Sequence, residues 1–288
     1  MWQMKPYADH WLTSHDGLRL YARDYPNPNS PFTVLCMHGL TRNSSDFAQL
    51  AESLNPQYRL IVADQRGRGR SGYDGNPANY NVTTYVADTF ALLDRLEISS
   101  IMMIGTSMGG LMAMIMASQQ PERVRGVVLN DVGPVVEADG IARIQGYVGN
   151  SGEVTSWNDA AELARANNGV AFPDWDAADW LAFARNTFVE DDSGIPRLAY
   201  DPAISAPLSS DQSSAVPPAM WPVFDAMADI PTLVIRGAIS DILSPQTVAE
   251  MARRHHNLTH VEVARRGHAP TLDEPKASKA IHDFLDKL

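Results

Sequence analysis

The sequence predicts an α/β fold: a mostly parallel, buried, eight-stranded sheet flanked by helices and interrupted by one inserted helical segment. Three observations carry this expectation. Short, continuously apolar runs alternate with helical patterns from residue 32 to 129, as expected of βαβ units whose strands are buried on both faces. The alternation stops at about residue 134 and resumes near 232, an interval too long for an ordinary connection. The 288 residues exceed the usual single-domain size but fit one large domain with an insertion. The expected division is therefore a core of residues 1–133 and 229–288 and a helical cap of residues 134–228.

Taken in order, residues 10–14 and 18–25 read as a hairpin turning through Asp16-Gly17. Residues 26–31 form a turn-rich linker. Residues 32–37 are a continuous apolar strand, ended by His38-Gly39-Leu40. Ser45 and Asp46 open an amphipathic helix reaching about Leu54. A short strand at 60–63 is closed by Asp64-Gln65-Arg66-Gly67-Arg68-Gly69-Arg70-Ser71. Thr83 or Thr84 is the expected cap of a helix reaching Leu96, with Val86, Phe90, Leu93 and Leu96 as its apolar positions. A strand at 101–104, a helix at 111–119 and a strand at 124–129 follow, the last ending in Asn130-Asp131-Val132-Gly133-Pro134. The insertion is rich in Ala, Asp, Trp and Pro and holds four of the six tryptophans, at 157, 175, 180 and 221. It contains no apolar strand run, looks helical at 137–148, 157–168 and 176–189, and is turn-rich at 191–218. The pattern then resumes with a strand at 232–236, a helix at 245–254, a strand at 260–263 and a helix at 274–288. No internal repeat or low-complexity tract is present.

A hydrophobic fraction of 44% with 8% aromatic residues is enough for a real core. The net charge of −11 disfavours a nucleic-acid partner, because such binding relies on neutralising phosphates. The only dense basic run, Arg66 to Arg70, follows a strand directly and reads as a turn. Cys36 is the single cysteine, so no intramolecular disulfide can form, which suits a reducing compartment. Met1-Trp2-Gln3-Met4-Lys5-Pro6 lacks a charged-then-apolar leader, and the expected location is cytoplasmic. Residues 99–121 carry no charge and are long enough to cross a bilayer, which takes about 20 apolar residues. Gly-Thr-Ser-Met-Gly-Gly interrupts that run, so a buried strand followed by a buried helix explains it better, with its methionines as adaptable core filler. No membrane association is expected.

Chemistry enters at Gly105-Thr106-Ser107-Met108-Gly109, a G-x-S-x-G between a strand and a helix. A serine on such a sharp turn projects its hydroxyl into open space, and side chains on the flanking glycines would clash. The hydroxyl needs a neighbouring base, and an imidazole base needs a third group to fix its tautomer. In an open parallel sheet these groups gather at the carboxyl ends of strands. Of eight histidines, His268 lies in the loop after strand 260–263. His10, His15, His255, His256, His260 and His282 read as structural or solvated. His38 also ends a strand, but its His-Gly context suggests a backbone role. Two acids compete for the third place, Asp131 after strand 124–129 and Asp241 after strand 232–236. Asp241 is preferred, in the order Ser…Asp…His, and Asp131 is the alternative, otherwise a hydrogen-bonded strand-end residue. Asp64 more plausibly braces the glycine-rich turn behind it. The oxyanion requires two donors. The expected ones are the backbone N–H groups of Met108, after the nucleophile, and Leu40, in the loop after strand 32–37.

Together, His38-Gly39, the Asp64 to Ser71 turn, the G-x-S-x-G, Gly237…Asp241…Pro245 and Gly267-His268 resemble, in order, the motifs of the α/β-hydrolase fold superfamily. The resemblance covers residues 32–288 apart from the insertion. It implies a Ser107–His268–Asp241 triad, an oxyanion hole at Leu40 and Met108, and a substrate held between core and cap. The nearest subfamilies are carboxylesterases, enol-lactonases and C–C hydrolases. C–C hydrolases usually place Trp after the histidine, where this chain has Ala269. Epoxide hydrolases and haloalkane dehalogenases use an Asp nucleophile, which Ser107 argues against, and the HGGG of hormone-sensitive-lipase relatives is absent. The expected activity is hydrolysis of small to medium acyl or aryl carboxylic esters through an acyl-enzyme. C–C hydrolysis of a vinylogous diketone or lactone hydrolysis is the alternative, and a non-catalytic binding protein is a remoter one. His38, Trp157, Trp175, Trp180 and Trp221, with Phe183 and Phe188, are candidate pocket residues, unless they form the cap's own core. Neither a metal-ligand cluster nor a phosphate-cradling glycine loop is evident, so no metal or cofactor is expected. The expected partner is a small-molecule ester.

Overall fold

The computed structural model describes residues 6–150, 152–209 and 219–288. The apolar runs pair into one sheet of eight strands: β1 (Ala8–Thr13), β2 (Arg19–Tyr25), β3 (Thr33–Met37), β4 (Arg59–Asp64), β5 (Ile101–Thr106), β6 (Val124–Asn130), β9 (Thr232–Gly237) and β10 (Leu258–Val263). Their order across the sheet is β1-β2-β4-β3-β5-β6-β9-β10. The β1–β2 and β2–β4 pairs are antiparallel and the remaining pairs are parallel.

Alternation along each strand divides the core in two. Val34, Cys36, Leu60, Val62, Met102 and Ile104 face α1 (Ala48–Leu54) and α10 (Pro275–Leu285). Leu35, Met37, Ile61, Ala63 and Met103 face α2 (Val82–Arg95), α3 (Met108–Gln119) and α9 (Pro245–Arg254). Both parities are therefore apolar, and each fully buried aliphatic side chain contributes about 1.5–3 kcal/mol. The uncharged stretch 99–121 is β5 followed by α3, a helix buried on nearly every side by Met112, Ala113, Met114, Met116 and Ala117. No helix among the described residues is long and apolar enough to cross a membrane.

Two element boundaries differ from the sequence reading. Helix α2 is capped by Asn81, whose side chain accepts from the Thr84 N–H, rather than by Thr83 or Thr84. An Asn in extended conformation can reach the free N–H groups of the first turn, and this one precedes the threonines. The helix expected from Ser45 opens as a 3₁₀ turn, Ser44–Phe47, capped by Asn43, before becoming α1.

Between β6 and β9 lie α4 (Ala138–Tyr147), α5 (Trp157–Asn168), α6 (Ala177–Thr187), β7 (Phe188–Glu190), β8 (Pro196–Leu198), a 3₁₀ turn (Pro202–Ser205), α7 (Ala206–Ser209) and α8 (Trp221–Asp225). Reciprocal capping boxes, Ser156 with Asp159 and Asp176 with Asp179, start α5 and α6. The β7–β8 hairpin corrects the expectation of a segment without strands. Each strand is three residues long, too short for an alternating pattern to register. Part of the turn-rich stretch, residues 210–218, lies outside the described residues. The aromatic residues of this segment largely bury one another. Phe172 stacks on Trp175 with centroids 3.8 Å apart, and Trp180 meets Trp175 edge-on at 4.8 Å. Trp157, Phe183 and Phe188 join the same cluster, while Trp221 packs against the main core.

Candidate active site

The tight turn between β5 and α3 places Ser107 at φ 54°, ψ −117°. A left-handed φ of this kind costs a non-glycine residue of order 1–3 kcal/mol and persists only when its surroundings enforce it. Here they do. A Cβ on Gly105 would lie 2.3 Å from the Gly109 carbonyl oxygen, and one on Gly109 would lie 2.0 Å from that of Met37. The Ser107 N–H donates to the Asn130 carbonyl at 3.0 Å, and the Ser107 carbonyl accepts from the N–H groups of Gly110 and Leu111. Strand β6 therefore helps to fix the turn.

His268, in the loop after β10, brings Nε2 to 2.8 Å from Ser107 Oγ. Its Nδ1 lies 2.8 Å from Asp131 Oδ2. An ionised carboxylate only accepts, so Nδ1 carries the proton and the Nε2 lone pair faces the serine hydroxyl. Asp131 is fully buried, and its other contacts fix its orientation: Oδ1 accepts from the Gly237 N–H at 2.7 Å and Oδ2 from the Ser240 hydroxyl at 2.6 Å. Next to it, Asn130 donates through Nδ2 to Thr106 Oγ1 at 3.0 Å and to the Pro270 carbonyl at 2.8 Å, tying the serine and histidine loops together.

The acid preferred from the sequence requires correction. Asp241 is bound not to His268 but to Arg143 of α4, with Nε 2.5 Å from Oδ2 and Nη2 2.9 Å from Oδ1. Partial burial pushes its carboxyl up, but the guanidinium outweighs this and holds it below the usual carboxylate range. The bidentate bond turns Asp241 toward the inserted segment. Asp131, the alternative acid, occupies the place beside the imidazole. Ser240 escaped the sequence reading altogether, although it immediately precedes Asp241 in the same loop.

The loop after β3 closes on the serine: a Cβ on Gly39 would stand 3.6 Å from Ser107 Cβ. Among the described residues neither the Leu40 nor the Met108 backbone N–H donates a hydrogen bond. His38 is wholly buried beneath this loop and lines neither of the two cavities at Ser107, which corrects its expected place in the pocket. Its Nε2 accepts from the Gln65 N–H at 3.0 Å and its Nδ1 lies 2.7 Å from the Gly39 carbonyl, while burial lowers its pKa. Asp64 does brace the glycine-rich turn: Oδ1 accepts from the Ser44 N–H and Oδ2 from the Arg70 N–H.

Two cavities meet at Ser107, Leu40 and Ile144. One, of about 440 Å³, is apolar and lies between core and insertion, with Val82, Leu111 and Val132 on one side and Ile141, Ile144 and Ile204 on the other. The second, of about 570 Å³, runs past His268 and is lined by charged and aromatic groups including Arg42, Asp46, Trp175, Phe183 and Arg266. Of the candidate pocket tryptophans only Trp175 lines either cavity. Trp157, Trp180 and Trp221 are absent from both because they are spent in packing. Arg42 is bound to Asp46, and Arg266 to Asp174 and Glu274, so neither guanidinium is free. Among the described residues no group of three or more His, Cys, Asp or Glu side chains could hold a metal ion.

Comparison with known proteins agrees with this architecture. A family model described as the alpha/beta hydrolase fold matches residues 33–168. A 3-hydroxybutyrate-oligomer hydrolase from Cupriavidus necator is 34% identical over 263 residues, spanning 89% of each chain. A 2-(acetamidomethylene)succinate hydrolase from Mesorhizobium japonicum is 26% identical over 97% of each chain. The crystal structure of an alpha/beta hydrolase from Novosphingobium aromaticivorans superposes with a TM-score of 0.94 at 43% identity, covering 99% of this chain and all of that one.

Proposed function

The chain belongs to the α/β-hydrolase family, and within it we propose a serine hydrolase of carboxylic esters, with Ser107 as nucleophile, His268 as base and Asp131 as the acid that orients it. The observation that carries this reading is the unbroken relay Ser107 Oγ–His268 Nε2 and His268 Nδ1–Asp131 Oδ2, each 2.8 Å. His268 accepts the Ser107 proton as Oγ attacks the ester carbonyl. The Leu40 and Met108 N–H groups receive the oxyanion, as donors without a partner among the described residues. Collapse expels the alcohol, which takes its proton from His268 Nε2. Water, deprotonated by His268, then releases the acid.

The same chemistry orients the substrate. The leaving alcohol must depart on the His268 side, which is the polar cavity. The acyl group stays on Ser107 and points into the apolar cavity, where Val136, Ile141, Ile144 and Ile204 of the insertion act as a cap. Linear oligoesters of short hydroxy acids are the first natural class to assay, by analogy with the oligomer hydrolase that is 34% identical. C–C hydrolysis of a vinylogous diketone and lactone hydrolysis would use the same triad. Substrates of those reactions that carry a carboxylate would need a free cation, and both arginines lining the cavities are already paired.

The decisive measurement is turnover of p-nitrophenyl butyrate beside a ring-cleavage diketone and an enol-lactone. Wild-type protein is expected to favour the ester, and Ser107→Ala to lose about 10⁴-fold or more in kcat. An S107A variant with wild-type ester turnover would overturn the mechanism. Preference for the diketone or lactone would replace the ester reading with one of those.

A further inference from the structure

Arg68 has no role in the chemistry above, yet it touches both residues that carry the expected oxyanion donors, Leu40 and Met108. Its side chain is completely enclosed. Nε donates to the Leu40 carbonyl at 2.8 Å, Nη1 to the Arg66 carbonyl and the Tyr85 hydroxyl at 2.8 Å each, and Nη2 lies 3.9 Å from Met108 Sδ. The guanidinium stands 4.9 Å from the centroid of the Tyr85 ring and 5.6 Å from that of Tyr80. Arg66, two residues earlier and equally buried, is neutralised by Asp16, Asp74 and Asp88. Arg68 forms no ion pair among the described residues.

A guanidinium removed from water without a counter-charge is strongly disfavoured, and buried charges are ordinarily paired. Three neutral oxygens and two ring faces satisfy its directional bonding but supply no net negative charge. Two of its contacts reach the residues that flank the oxyanion position, Leu40 through its carbonyl at 2.8 Å and Met108 through its side chain at 3.9 Å. A negative charge appears next to these residues only when an ester carbonyl becomes tetrahedral. A fixed positive charge in a dry site favours that state over the neutral ground state.

We propose that Arg68 is a positioning residue of the oxyanion hole, holding the Leu40 loop against Met108 and supplying the buried positive charge that the developing oxyanion meets. The proposal rests on the ester-hydrolase reading. It assigns no contact with substrate to Arg68. The charge acts by its field at the oxyanion position and lowers the barrier rather than tightening substrate binding, so kcat and KM should separate.

The test compares wild-type, Arg68→Met, Arg68→Lys and Arg68→Gln proteins. It measures kcat and KM on p-nitrophenyl butyrate, and affinity for an alkyl trifluoromethyl ketone, whose serine adduct carries an oxyanion. R68M is expected to lose about 10- to 100-fold in kcat with KM changed less than about twofold. Its ketone affinity should fall in parallel, and R68K should recover most of both. R68Q keeps a donor for the Leu40 carbonyl and removes only the charge, so it is read in the same way if R68M does not fold. Unchanged kcat in the neutral variants overturns the proposal. So does a loss of kcat without a loss of ketone affinity, or R68K as slow as R68M. If wild-type protein neither turns over the ester nor labels at Ser107 with a fluorophosphonate, the ester reading fails and this proposal falls with it. An active, labelled wild type beside an equally active R68M overturns the Arg68 proposal alone.

Discussion

Asp131 and Asp241 lie in the loops after neighbouring parallel strands, β6 and β9, and both follow Ser107 and precede His268 in the chain. Their environments are opposite. Asp131 is fully buried, has φ 56°, and receives the Gly237 N–H, the Ser240 hydroxyl and His268 Nδ1. Asp241 has a side chain 32% exposed and is held by a guanidinium from the inserted segment. The difference lies in the backbone. At Asp131 the chain enters the left-handed region, which Asp tolerates better than most residues, and its N–H donates to the Ile235 carbonyl of β9 at 2.7 Å. The Asp241 backbone is packed instead by α4: a Cβ on Gly140 would lie 2.4 Å from the Asp241 carbonyl oxygen. One carboxylate is built into the relay and the other ties the insertion to the core. Order in the chain cannot distinguish them.

The sharpest way to break this contrast is to neutralise each acid in turn. Asp131→Asn should lower kcat on p-nitrophenyl butyrate by about 10⁴-fold, because the imidazole then loses the acceptor that fixes its tautomer. Asp241→Asn should stay within about fivefold of wild type, since a partly exposed ion pair contributes little to the relay. Equal losses in the two variants would erase the distinction.

A smaller effect is expected from Ser240→Ala, which removes one of the two hydroxyl or imidazole donors on Asp131 Oδ2 and leaves the carboxylate in place. A hydrogen bond to a charged group is worth about 1.5–3 kcal/mol, so kcat should fall about tenfold or somewhat more. An S240A enzyme with wild-type kcat would show that the backbone alone positions Asp131.

The smallest effect concerns stability. Arg143→Met should cost less than about 1 kcal/mol at pH 7, as for other ion pairs of this exposure. Asp241 is held below its ordinary pKa, despite the upward push of burial, by the hydrogen bond and charge of Arg143. Its contribution is therefore present above the unfolded value of about 4 and is lost as pH falls through the lower folded value. Urea midpoints of wild type and D241N should differ at pH 7 and converge below about pH 4. A gap that widens in acid would contradict the assignment.

Much of this architecture was legible in the sequence because the responsible forces are local. Residues 34–37, 101–104 and 233–235 are apolar at both parities, and only strands covered on both faces need that. The serine turn was legible because its glycines stand where any side chain would collide. His268 was legible as a histidine following a strand. The choice between two acids was not, because it depends on a φ angle and on how α4 packs, neither of which leaves a mark in residue order. The cap tryptophans were ambiguous for a related reason. Aromatic residues suit a pocket and a core equally well, and the stacking of Trp175 on Phe172 is a tertiary fact. In Arg66-Gly67-Arg68 the two arginines look alike, although one is neutralised by three carboxylates and the other forms no ion pair among the described residues.

Ser107, Asp131 and His268 follow three different strands, and the relay closes only when β10 has docked at the edge of the sheet. Synthesis proceeds from the N-terminus, and the serine turn leaves the ribosome long before residue 268. Until then the Ser107 hydroxyl lacks the imidazole that stands 2.8 Å from it in the finished fold. A fragment that ends before β10 lacks His268 in the same way. Completion of the sheet is therefore what brings the imidazole of His268 to the Ser107 hydroxyl.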